Sequence, residues 1–173
     1  GSVILVDRDA EALDLALHQF PHNHKSRVRP LCLDITSEEA VRAATTQLME
    51  NGDQIDVLIN NAAVNPKVGL ELESSDPSRL ESFDIERWDL ELSVGLTGAF
   101  ICAKHFGGYI AAQGRGGVIL NIASDLSVIS PDQRLYAIEG REPENQPVKP
   151  VTYSVVKTGL IGLTRYLATY WAN

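Results

Sequence analysis

No apolar run in the sequence approaches the ~18–20 residues that a helix needs to cross a bilayer. No signal-peptide pattern is visible either, so the expectation is a cytoplasmic protein with no membrane partner. Positive charge is in short supply. Fifteen Lys and Arg face 23 Asp and Glu, for a formal charge of -8. An acidic surface repels phosphate backbones, which argues against nucleic acid as a partner. Cysteine is scarce as well. Cys32 and Cys102 both sit in apolar runs, and buried free thiols are expected in preference to a disulfide. Three of the four histidines crowd into "HQFPHNHK", but a proline-broken loop rarely offers metal geometry, so no metal is expected. There is no internal repeat and no domain-scale linker. What is present is ordinary globular composition, 44% apolar and 22% charged, over 173 residues. That length suits one domain with a real core.

Short β-branched runs alternate with helical patterns. "SVILVD" (2–7), "RVRPLCLD" (27–34), "IDVLINNAA" (55–63) and "GGVILNIAS" (116–124) read as strands, with Pro30 predicting an irregular start to the second. "DAEALDLALHQF" (9–20) reads as a helix with Leu13 and Leu17 on one face. "TSEEAVRAATTQLMENG" (36–52) has Thr36 and Glu39 at capping-box spacing and Gly52 as a stop. A long helix interrupted by glycines spans 84–114, and another follows from 151. Near-continuous apolar strands alternating with helices predict a doubly wound parallel α/β sheet of Rossmann type.

In such sheets ligands bind at the carboxyl ends of the strands. The residues there are Asp7, Asp34-Ile35, Asn60 to Ala63, and Ser124. The helix that follows the last strand carries Tyr153 and Lys157 in "VTYSVVKTGL". Positions i and i+4 share a helix face. A free phenol ionises near pH ~10, and a neighbouring ammonium favours the phenolate that a base must become.

With "VILVDRD", "LDITSEE", "VLINNAA", "GVILNIAS" and "YSVVK" in this order, the sequence resembles the short-chain dehydrogenase/reductases over most of its length. The resemblance implies an oxidoreductase that moves hydride between a nicotinamide cofactor and a carbonyl/alcohol pair, such as a sugar or sugar-derived compound. It implies Tyr153 as acid/base, Lys157 as its neighbour and ribose ligand, and Ser124 as the group that polarises the substrate oxygen. Asp7 would bind the adenine ribose hydroxyls. Asp34 and the Ile35 backbone would flank the adenine, and Asn60 and Ala62 would line the cofactor groove. A carboxylate at Asp7 favours NAD over NADP, with Arg8 beside it as the group that could pair with a 2′-phosphate. The family's habit of pairing through its two long helices implies a homodimer or homotetramer, with Phe100 suited to close packing.

Three departures accompany the resemblance. The family's glycine-rich phosphate loop and first strand would precede "VILVD", and further strands would follow "YLATYWAN". The chain therefore reads as one partial domain, 1–173, expected to bind NAD weakly by itself. Gly95 stands where the family usually has asparagine, so the helix can bend but no amide is supplied. Ser124 and Tyr153 are also unusually far apart. Arg134, Tyr136 and Arg141 in the surplus loop are candidates to meet a polar or anionic substrate, and such loops often form lids. The alternative reading is a non-catalytic dinucleotide-binding or sensor protein of the same fold.

Overall fold

The computed structural model describes residues 1–64 and 78–172. Strand β1 (Val3–Asp7) pairs in parallel with β2 (Val28–Cys32), in register from Val3 opposite Val28 to Asp7 opposite Cys32. Strand β3 (Val57–Asn60) pairs in parallel with β4 (Val118–Asn121), ending on Asn60 opposite Asn121. Parallel neighbours need crossover connections. Helix α1 (Ala10–Gln19) supplies the first, and a helical rod at 85–112, here α3, supplies the second. Helix α2 (Glu38–Glu50) leads from β2 toward β3, and α4 (Val151–Tyr170) follows β4 after a series of short turns. Among the described residues no ladder joins β1 to β3.

The two sheets are coupled instead through one core. Val41, Ala44 and Leu48 of α2 pack with Ile101, Cys102 and Phe106 of α3, and Ile4, Leu31 and Leu58 of the strands close onto them. A second cluster holds α3 to α4 through Ala99, Val156 and Leu160. On the other face of β3 and β4, Val57, Ile59, Val118 and Leu120 are exposed.

Local chemistry sets the helix boundaries. Asp9 caps α1 by accepting from the Ala12 N–H. The expected cap at Thr36 shifts by one residue. Ser37 accepts from the Ala40 N–H, while the Thr36 hydroxyl turns back to Asp34 Oδ1 at 2.7 Å. Gly52, at φ 71°, stops α2 as expected. Pro30 does not disturb the start of β2. It pairs opposite Leu5 within a regular strand that, among the described residues, has a partner on one side only, so its missing N–H costs no ladder bond. The glycines of α3 interrupt its α-helical pattern, as expected, without ending the rod. The rod runs through π-helical turns at Ser93–Thr97 and Ala103–Gly107.

The expected burial of both cysteines holds for Cys102 alone. Cys32, on the edge strand β2, is exposed, and its thiol donates to the Arg8 carbonyl at 3.5 Å. Among the described residues no helix is long and apolar enough to cross a membrane, and no three metal-ligating side chains converge. Most of the polar stretch at 64–83 lies outside the described residues.

Candidate active site

A cavity of about 400 Å³ opens at the carboxyl ends of β1 and β3. Asp7 lines one part, Asn61 to Val64 follow β3 along its wall, and the first turns of α4 supply Thr152, Tyr153, Val156 and Lys157. Pro150, with non-helical backbone angles, caps α4, and its carbonyl accepts the Tyr153 N–H at 3.2 Å. The helix therefore starts just before the tyrosine and points its first face into the cavity.

Two ammonium groups flank the Tyr153 ring. Lys157 Nζ lies 5.8 Å from the ring centroid and donates to the Ile122 carbonyl at 2.6 Å. The residue is only 8% exposed, so this bond offsets part of the cost of burying the charge. Lys149 Nζ lies over the ring at 3.7 Å, at a distance suited to a cation–π contact.

Behind Tyr153, the fully buried Thr152 donates its hydroxyl to Glu91 Oε2, and Arg87 Nε donates to Glu91 Oε1 at 2.8 Å. The carboxylate thus spans from α3 to α4 at the cavity wall. One turn later, Gly95 allows the two helices to approach closely. A Cβ at Gly95 would come within 2.7 Å of Val156 Cγ1, and one at Gly159 within 2.8 Å of Leu96 Cδ2. Gly95 is therefore required by packing here, whatever it does for a proton path.

Asp7, Ala62, Tyr153 and Lys157 meet around this cavity as the sequence suggested. The other expected residues do not line it. Ser124 follows β4 but caps its own turn. Its hydroxyl donates to Asp125 Oδ1 at 2.8 Å and accepts from the Leu126 N–H at 3.2 Å, while its N–H donates to Ser127 Oγ. The Ser124 hydroxyl and the Leu126 N–H hold the Asp125 carboxyl below its ordinary value. Helix α4 covers this turn, with Thr158 donating to the Ser127 carbonyl at 3.2 Å.

Asp34 accepts from both the hydroxyl and the N–H of Thr36, which lower its pKa, with Arg8 adding a smaller attraction. The Ile35 side chain packs against Gly98. The Asn60 amide donates to Asn121 Oδ1 at 2.8 Å, and Asn121 donates in turn to Thr164 of α4. Asn61, one residue on, faces the cavity instead. Arg134 is committed to Asp132 at 2.7 Å, and neither it, Tyr136 nor Arg141 lines this cavity.

The residues that sequence reasoning missed are Glu91, Thr152 and Lys149. Glu91 gave no signal, because an acid in an amphipathic segment reads as solvated. Lys149 gave no signal either, because it precedes Pro150 and lies outside the helix, where spacing to Tyr153 sets no shared face.

Comparison with known proteins agrees with this architecture. A sequence model of the short chain dehydrogenase family matches residues 1–137. An NAD-dependent glycerol dehydrogenase of Listeria innocua is 30% identical over 170 residues, covering 98% of this chain and 55% of the relative. A D-threitol dehydrogenase of Mycolicibacterium smegmatis is 24% identical over 171 residues, covering 99% of this chain and 55% of the relative. Among solved structures, a gluconate 5-dehydrogenase of Burkholderia cenocepacia, in complex with NADP and tartrate, superposes with a TM-score of 0.75. It is 22% identical, with 99% of this chain and 56% of that one covered. An NAD+-bound xylitol dehydrogenase superposes with a TM-score of 0.74 at 25% identity, with 99% of this chain and 55% of that one covered. The chain spans about half the length of the curated relatives it matches. The family match runs through all four parallel strands, and the chain belongs to the short-chain dehydrogenase family.

Proposed function

We propose that the protein containing this chain is an oxidoreductase that interconverts an alcohol and a carbonyl with NAD, through one domain of which residues 1–173 are part. The observation that carries this reading is the single cavity joining Asp7 at the end of β1 to Tyr153 and Lys157 on α4. A carboxylate at one wall and an ammonium at another suit the hydroxyls of a dinucleotide's two riboses. When bound, the nicotinamide supplies the hydride acceptor or donor.

The chain's own residues do the rest. Tyr153, with two ammonium groups about its ring, takes the alcohol proton as hydride leaves the carbon and returns it in the reverse direction. Lys157 holds ribose hydroxyls. Ser124 polarises the substrate oxygen once its hydroxyl leaves Asp125. Asp7 accepts from ribose hydroxyls and repels a 2′-phosphate, which favours NAD over NADP. Ala62 and its neighbours form the groove wall. Asp34 and the Ile35 backbone flank the adenine, and Asn60 fixes the end of β3 beneath the groove. The glycerol and threitol dehydrogenases among the relatives support a polyhydroxylated substrate. Exposed Phe100 on α3, with Tyr166 and Tyr170 on α4, supports a homodimer or homotetramer assembled on these helices, and the reading places it in the cytoplasm.

The test is Tyr153→Phe in the full-length protein, assayed for NADH formation with glycerol, threitol and xylitol. Loss of turnover with NAD binding retained is expected. Unchanged turnover overturns the assignment. A second reading, a non-catalytic dinucleotide-binding protein, is favoured by the engagement of Ser124 with Asp125. It requires NAD binding with no turnover in the unaltered protein.

A further inference from the structure

We propose that Lys149 recognises an anionic group on the substrate, so that the protein acts on hydroxy acids of the aldonate type in preference to neutral polyols. This rests on the dehydrogenase reading above. Lys149 stands at a boundary: it lines the cavity that holds Tyr153 and Lys157, and it also lines a neighbouring cavity of about 410 Å³ bounded by Ser78, Gln133 and Ser154. A substrate whose hydroxyl faces Tyr153 and whose chain extends into the second space must pass its ammonium.

The charge is available. Among the described residues Lys149 has no carboxylate partner, whereas Arg134, Arg115 and Lys104 are paired with Asp132, Asp56 and Glu38. Of the acids lining the two cavities with it, Glu91 has both oxygens occupied by Arg87 and Thr152, Glu81 pairs with Arg79, and Asp7 accepts from the Asp9 N–H. The backbone that carries Lys149 is held on both sides. Its N–H donates to Gln133 Oε1 at 2.8 Å, the preceding Val148 N–H donates to Ser78 Oγ at 3.1 Å, and the following Pro150 is buried. A fixed Cα and an ammonium resting on a ring face have already lost much of the side-chain freedom that binding would otherwise cost. The ring takes one side of the ammonium and leaves its other N–H donors for a carboxylate.

The experiment is calorimetric titration of the full-length protein, saturated with NAD, with gluconate against sorbitol and xylonate against xylitol. Wild type should bind each acid at least about tenfold tighter than its polyol. Lys149→Met should bring the two within about twofold, Lys149→Arg should restore the preference, and thermal unfolding should show both variants folded. Tyr153→Phe keeps the ring face and should keep the preference. Absence of a preference for the acids in wild type, or its persistence in Lys149→Met, overturns the inference. Unchanged turnover in Tyr153→Phe would instead overturn the catalytic reading on which it rests.

Discussion

Lys157 Nζ donates to the Ile122 carbonyl across 2.6 Å, tying the first turns of α4 to the chain just beyond β4. The bond fixes where the ammonium stands beside Tyr153. Lys157→Met should lower NAD affinity of the full-length protein at least about tenfold and cost about 1–3 kcal/mol of stability. Calorimetric NAD titration and urea unfolding read these separately. Undiminished NAD binding would remove Lys157 from the cofactor site.

Glu91 is 6% exposed and joins Arg87 to Thr152 across the α3–α4 contact. Removing one partner of a buried charged contact strands the others. Glu91→Leu should cost about 3–5 kcal/mol, and Thr152→Val about 1–3 kcal/mol. The double variant should cost less than the sum, because both changes break the same bond. Strict additivity in denaturant unfolding would show that the two side chains act independently.

Gly95 leaves no room for a side chain against Val156. Introducing the asparagine usual in the family, Gly95→Asn, should destabilise by about 1–3 kcal/mol through overpacking. Adding Val156→Ala should recover part of that loss. A Gly95→Asn variant as stable as wild type would mean that the α3–α4 spacing yields freely.

The two thiols should behave differently. Burial pushes the Cys102 thiol up to about 11, and Cys32 is exposed. The thiolate is the reactive form, and at neutral pH about one Cys102 in ten thousand would carry it. Iodoacetamide should label Cys32 in the folded protein and Cys102 only after denaturation, read by peptide mass. Rapid native labelling of Cys102 would contradict its place in the α2–α3 core.

Much of the fold was legible because its signals are local. Asp9, Ser37 and Gly52 mark helix ends through bonds and backbone angles set within a few residues. Even the errors were small, such as a cap assigned to Thr36 instead of Ser37. The site was legible in part for the same reason, since residues at strand ends in parallel sheets share one rim. Asp7 and Ala62 stand where that rule puts them, and Tyr153 and Lys157 reach the same cavity on the helix that follows the last strand. Asn60 and Ser124 stand off the cavity, because a side chain at a strand end can turn to a nearer partner, Asn121 in one case and Asp125 in the other.

By itself, then, the order of residues determined the alternation of strands and helices and the placing of Tyr153 and Lys157 on one helical face, because side-chain periodicity is a property of the backbone over one or two turns. The tertiary structure alone decided that Glu91 reaches Thr152 and that Lys149, outside the helix and preceding Pro150, comes to rest on the Tyr153 ring. Those meetings depend on how closely α3 approaches α4 and on how the loop before α4 is anchored. Both are set by packing between segments far apart in the chain, at Gly95 against Val156 and at Gln133 against the Lys149 backbone.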